Sequence, residues 1–198
     1  FEKIEVEDIK SKTRAYIKIQ DGCNQFCSYC IIPYARGPIR SRDKDDILSE
    51  IEILSKSGFK EIVLTGIHVA SYGKDLGDIN LGELIQEIAL IKDIERIRLS
   101  SVEPNLITED FMNILVSTKK VCDHFHLSLQ SGCDETLKRM NRRYTAKEYE
   151  EAVYKIRENL KDASITTDVI VGFPGETDEE FNETYKFLER IKLTKTHI

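Results

Sequence analysis

"AYIKIQDGCNQFCSYC", residues 15–30, runs a β-rich segment directly into three cysteines, Cys23, Cys27 and Cys30, spaced x3 and then x2. The turn after a first strand is where a doubly wound dinucleotide-binding sheet carries G-x-G-x-x-G, and no such motif stands here. A parallel barrel or partial barrel is therefore the better reading, provided that the chain alternates strand and helix. Four further runs, EIVLT (61–65), RIRLS (96–100), HFHLSL (124–129) and ITTDVIVGF (165–173), are rich in Ile, Val, Leu and aromatics and end in Gly or polar residues, as strands do. Between the runs, three groups keep their apolar side chains on one helical face: Ile47, Leu48, Ile51 and Leu54; Leu81, Leu84, Ile85 and Ile88; Tyr149, Ala152, Val153, Ile156 and Leu160. Thr145 with Glu148 and Thr177 with Glu180 match the capping box and fix helix starts near 145 and 177. Alternating β and α elements imply parallel strands joined by right-handed crossovers. Five loops then converge on the carboxyl ends of the strands: the cysteine loop, TGIHVASYG (65–73), SSVEP (100–104), LQSGC (129–133) and GFPGET (172–177).

Composition sets the frame for those loops. At 198 residues and 40% hydrophobic content the chain supports one substantial core. A charged fraction of 32%, a net charge of -6 and the lack of any apolar run approaching a membrane span argue against a membrane protein and against a uniformly basic nucleic-acid binder, and no DNA partner is expected. No signal-peptide pattern precedes the core, and five cysteines cannot all pair within one chain, which points to the reducing cytoplasm. The chain starts at Phe1, not Met, and ends in LTKTHI, where a new strand begins at Thr196. It reads as the central piece of a longer protein.

Three thiolates are one too few for a closed metal site. A zinc ribbon or finger needs a second close pair of ligands, and none follows. Cys122 and Cys133 lie eleven residues apart on either side of a predicted strand, so they fall at its opposite ends and read as core thiols. A C-x-x-C redox pair leaves Cys23 unexplained. An iron–sulfur cubane with three protein thiolates and one iron left open fits the soft, clustered donors best.

Cys-x3-Cys-x2-Cys, with Tyr29 just before the third cysteine, resembles the signature of the radical S-adenosylmethionine enzymes. The resemblance implies a partial (β/α)6 barrel of parallel strands, the sixth truncated at the C-terminus. It also implies a 4Fe-4S cluster on Cys23, Cys27 and Cys30 whose open iron chelates S-adenosylmethionine, and a reduced electron donor. Electron transfer then cleaves the sulfonium to a 5′-deoxyadenosyl radical. The segments IQDGCNQFCSYCIIPYARGPIRSR (19–42), LTGIHVASYG (64–73), RLSSVEPNLIT (98–108), HLSLQSGCDETLKRMNRRYT (126–145) and DVIVGFPGETDEEF (168–181) are together similar to the methylthiotransferases that act on tRNA or a ribosomal protein. IIPYARG and GIHVASYG are most like the branch modifying C2 of N6-threonylcarbamoyladenosine next to the tRNA anticodon. The branches acting on isopentenyladenosine in tRNA and on a ribosomal-protein aspartate are close relatives. From another class, a non-catalytic iron–sulfur or zinc module that binds RNA is the alternative. The resemblance further implies that residues 1–198 are the core domain alone, without an N-terminal domain holding a second cluster and a C-terminal RNA-binding domain.

Several polar residues fall on or just beyond the strands, where an unpartnered group is costly. By the resemblance, Glu103, Ser128, Gln130 and Asp168 are contacts for S-adenosylmethionine, with Tyr29, Gly66, His68 and Gly172 placed beside them, and Arg143 or its neighbour Arg142 pairs with the methionyl carboxylate. His124 and His126 read as packing. Two basic groups, Arg36-Arg40-Arg42-Lys44 and Lys138-Arg139-Arg142-Arg143, are expected either to be a solvated face or to meet tRNA phosphates.

Overall fold

The computed structural model describes residues 13–198. In order they form β1 (Arg14–Asp21), α1 (Ile32–Arg36), β2 (Arg40–Ser41), α2 (Lys44–Lys56), β3 (Glu61–Gly66), α3 (Leu81–Ala89), β4 (Arg96–Leu99), β5 (Ser101–Val102), α4 (Glu109–Thr118), β6 (His124–Leu127), α5 (Asp134–Arg139), α6 (Ala146–Asn159), β7 (Ser164–Asp168), α7 (Asp178–Ile191) and β8 (Lys195–His197). Two four-stranded sheets, β2-β1-β3-β4 and β5-β6-β7-β8, follow one another across a break at Ser100. With β4 and β5 taken as one broken strand, six parallel strands curl into a half-barrel. The expected partial barrel is thus present, and its sixth strand pairs with β7 through Thr166 and Lys195.

Strand alternation decides what each face of the sheet meets. Ala15, Ile17, Ile19, Ile62, Leu64, Ile97, Leu99, Phe125, Leu127 and Ile165 are buried under the helices and make one continuous core. Each Ile, Leu or Phe side chain among them contributes about 1.5–3 kcal/mol on burial. The concave face is polar by contrast. Glu61 accepts from Arg98 at 2.8 Å and Arg96 at 2.9 Å, with Arg14 at 3.7 Å, and His126 faces Asp168 at 3.1 Å.

The helices at 47–54, 81–88 and 149–160 appear as α2, α3 and α6, and the capping boxes at Thr145 and Thr177 are both formed. A third box, Asn80 with Glu83, starts α3. Helix α4, the short α1 and α5, and the antiparallel β2 beside β1 go beyond the sequence reading. The runs at 124–129 and 165–173 are shorter as strands, because past Leu127 and Asp168 the ladder thins to one bridge between Gln130 and Val169. Among the described residues no helix is long and apolar enough to cross a membrane.

Candidate functional site

The cysteine loop leaves β1 at Gly22, in the left-handed region at φ 72°. A Cβ there would stand 1.9 Å from the Pro38 carbonyl oxygen, so only glycine lets the returning chain pass this close. Cys23 N–H donates to the Gly37 carbonyl at 3.1 Å and closes the loop at its base. Gln20, fully buried, donates to the carbonyls of Asp21 and Gly22 at 2.7 Å each and accepts the His68 N–H at 2.8 Å, tying β1 to the β3 loop. The Gln20 carbonyl and side chain also leave no room at Gly66, where a Cβ would meet them at 2.9–3.1 Å.

The tip of the loop is held from far along the chain. Ser28 Oγ donates to the Arg139 carbonyl at 2.8 Å, Ser28 N–H to the Met140 carbonyl at 3.1 Å, Asn141 Nδ2 to the Phe26 carbonyl at 2.8 Å, and Arg143 to the Asn24 carbonyl at 3.2 Å. Segment 139–143, from the last residue of α5 onward, is a clamp on the cysteine loop. Phe26 is in the left-handed region at φ 53°, with its ring exposed at the rim beside Tyr34.

Behind the thiols lies a buried ionic network. Arg142 and Glu103 pair at 2.9 Å with side chains 8% and 10% exposed. Glu103 also accepts from Gln25 at 2.9 Å and meets His68 Nε2 at 3.0 Å. Burial alone raises a carboxyl pKa, yet the His68 contact and the Arg142 charge outweigh it, and the Glu103 pKa is lowered. Arg142 is the mirror case: burial opposes its charge, while Tyr144, Glu103, Tyr29 and Cys27 favour it and raise its pKa. Its Nη1 donates to Cys27 Sγ at 3.3 Å and reaches the Tyr29 hydroxyl at 3.5 Å. Burial pushes the Tyr29 phenol up to about 12 and raises the Cys23 thiol as well. A cleft of ≈ 640 Å³ opens beside this network, lined by Gln25, His68, Lys74, Glu103, Asn105 and Phe111 among others. His68 Nδ1 is buried and without a partner.

The donor set fits an iron–sulfur group. Cys23, Cys27 and Cys30 are free, half-buried thiols on one loop, with a guanidinium on one sulfur. Among the described residues no three His, Cys, Asp or Glu side chains converge on one point as ligands of a single ion. A cubane does not require that, since each thiolate takes a different iron. Cys133 is buried near Glu183, and Cys122 lies near Arg98 at the other end of β6.

Ser128, Gln130, Asp168 and Gly172 stand at or just past the carboxyl ends of β6 and β7, and none of them lines the cleft beside Glu103. The Ser128 carbonyl accepts the Tyr144 hydroxyl, and Gln130, at φ 69°, bridges main chain with Asp168 and Ile170. Asp168 is half exposed and holds His126, so His126 has a polar partner and is not simple packing. Gly172, at φ 68°, has open space where a Cβ would be. Arg143 lies exposed on the rim while Arg142 is the buried one of the two. Gln25, Asn141 and Tyr144 go beyond the sequence reading; for Asn141 and Tyr144 the polar cluster NRRYT (141–145) is the available signal, and for Gln25 only its place between Cys23 and Cys27. Both basic groups thin out: Arg42 is paired with Glu50, Arg139 with Glu180 and Arg142 with Glu103, while Arg36, Arg40, Lys138 and Arg143 are exposed, Arg40 with Asp21 at 3.6 Å.

Residues 17–188 match the model of the Radical SAM superfamily. Among curated proteins, the Threonylcarbamoyladenosine tRNA methylthiotransferase MtaB of Bacillus subtilis is 43% identical over 100% of this chain and 44% of its own length. MtaB of Aquifex aeolicus is 49% identical over 93% of the chain and 45% of its own length. The tRNA-2-methylthio-N(6)-dimethylallyladenosine synthase of Acetivibrio thermocellus is 47% identical over 95% and 39%. The chain therefore spans less than half the length of these relatives. Among solved structures, the radical S-adenosylmethionine methyltransferase TsrM of Kitasatospora setae, with cobalamin and a [4Fe-4S] cluster bound, superposes with a TM-score of 0.75 at 21% identity, covering 92% of this chain and 35% of that one. That likeness is one of fold.

Proposed function

The chain belongs to the Radical SAM superfamily, and from that premise we propose that it is the radical-initiating core of a tRNA methylthiotransferase acting at C2 of N6-threonylcarbamoyladenosine beside the anticodon. The observation that carries the reading is the loop of three free thiols, Cys23, Cys27 and Cys30, with the buried Arg142–Glu103 pair directly behind it. When bound there, a 4Fe-4S cluster supplies the electron for reductive cleavage of S-adenosylmethionine. The chain's own residues hold and orient. Glu103, kept as a carboxylate, offers an acceptor for an ammonium, and Arg142, with Arg143 at the rim, offers a cation for a carboxylate. Gly172 leaves backbone open to close approach, whereas the space at Gly66 is filled by Gln20, and Tyr29, His68, Ser128, Gln130 and Asp168 lie toward the carboxyl ends of the strands as contacts for the nucleoside.

Transfer of a methylthio group to tRNA is supported by the names of the relatives at 43–49% identity. The IIPYARG and GIHVASYG segments favour the threonylcarbamoyladenosine branch over the dimethylallyladenosine one. The test is mass spectrometry of tRNA nucleosides from cells lacking the full-length protein. Loss of 2-methylthio on threonylcarbamoyladenosine, restored by wild type and not by Cys27→Ala, is the expected result. Loss on dimethylallyladenosine instead moves the protein to the neighbouring branch, and intact methylthio groups on both overturn the reading.

A further inference from the structure

Arg142 meets three different kinds of group at once. Nη2 is on the Glu103 carboxylate at 2.9 Å, Nη1 is on the Cys27 sulfur at 3.3 Å, and Nε is on the Tyr144 hydroxyl at 2.9 Å. Tyr144 also carries the guanidinium over its ring, 4.8 Å from the centroid. Its hydroxyl is itself immobilised, shared between the carbonyls of Ser128 and Leu129 at 2.9 and 2.8 Å just past β6, and the residue is 5% exposed. A planar fork seated on a ring, pinned at Nε by Tyr144 and at Nη2 by Glu103, has little freedom about its long axis, so Tyr144 is one of the two groups that set the direction in which Nη1 points.

We propose that Tyr144 is a positioning residue that holds the Arg142 N–H on the Cys27 sulfur and thereby sets the reduction potential of the iron–sulfur group bound by the cysteine loop. The inference rests on the reading of Cys23, Cys27 and Cys30 as cluster ligands. A donor on a ligating sulfur, and a cation close to it, stabilise the more negative, reduced state, so their loss makes reduction harder. Tyr144 touches neither sulfur nor carboxylate and acts wholly through Arg142.

The test is an anaerobic redox titration of the full-length protein followed by electron paramagnetic resonance, the relevant signal being the one missing from Cys27→Ser. Tyr144→Phe keeps the ring and removes the pin. Its midpoint is expected to fall so that the reduced-to-oxidised ratio at a fixed potential drops about tenfold, equivalent to about 59 mV for a one-electron couple. Iron and sulfide content should match wild type. Tyr149→Phe is the control for mere loss of a buried hydroxyl, because its O–H donates to the Leu127 carbonyl at 2.9 Å in the core, with no arginine on it; its potential should stay at the wild-type value. Arg142→Lys should shift the midpoint at least as far as Tyr144→Phe, and adding Tyr144→Phe to it should give no further shift, since both remove the same contact. Should Tyr144→Phe not fold, the Arg142→Lys shift decides. An unmoved midpoint in Tyr144→Phe with an intact cluster, or in Arg142→Lys, overturns the inference alone, as does an equal shift in Tyr149→Phe. A wild-type protein with no cluster on these cysteines takes the underlying reading down with it.

Discussion

Gly22 and Gly58 both sit at positive φ, 72° and 95°, yet they stand in opposite surroundings. A methyl on Gly58 meets nothing within 4 Å, whereas one on Gly22 runs into the Pro38 carbonyl at 1.9 Å. Gly58→Ala should cost only the left-handed penalty of about 1–2 kcal/mol. Gly22→Ala must in addition push apart the two strands of the cysteine loop, so it should cost more and lower iron loading in anaerobic reconstitution, while Gly58→Ala loads normally. Equal loading in the two variants would show that the base of the loop is more pliable than its geometry says. The cysteines were legible in the sequence because their spacing lies within one contiguous loop. Arg142 was only half legible, named together with Arg143, because its partners Glu103 and Cys27 lie 39 and 115 positions away. No local pattern distinguishes a buried arginine from the exposed one beside it.

At the level of elements, Glu61 at the head of β3 ties three strands together on the concave face. Burial raises its pKa, but hydrogen bonds from Arg98 and Arg96 and the charge of Arg14 overcome that, and the folded value lies below the ordinary 4.5. A depressed carboxylate contributes stability that is complete above its unfolded pKa and is lost as pH falls through the folded one. Glu61→Gln should therefore destabilise by about 1.5–3 kcal/mol at pH 7. In urea unfolding curves the gap from wild type should close as pH drops below about 4.5; a gap that persists there would mean that shape, not charge, is what Glu61 contributes. Helices α2, α3, α6 and α7 could be read from apolar periodicity or caps, since their buried faces span several turns. Helix α4 presents only Phe111, Met112 and Leu115 to the core, and α1 and α5 have five and six residues, too few for a period to register. Strand β2 is two residues made into a strand by its pairing with Gln20 and Asp21. Such elements owe their existence to tertiary contacts.

Across the whole molecule a net charge of -6 coexists with a basic rim of Arg36, Arg40, Lys138 and Arg143 around the mouth of the half-barrel. If tRNA docks on this rim in the full-length protein, each phosphate contact contributes about one unit to the slope of log affinity against log salt. Arg36→Ala and Lys138→Ala should each flatten that slope by about one unit. Arg42→Ala should leave it unchanged and instead lower thermal stability, because Arg42 is spent on Glu50 and the Asp46 carbonyl. Identical slopes for all three variants would place RNA elsewhere. The clamp on the cysteine loop has a consequence in time as well as in space. Its bonds to Asn24, Gln25, Phe26 and Ser28 come from residues 111–119 positions downstream. A ribosome adding about 5–20 residues per second reaches them on the order of 10 s after the cysteines have been made. On the reading of these cysteines as cluster ligands, the newborn thiols lack their clamp for that interval, and iron delivery and oxidation compete for them before the chain has closed over the loop.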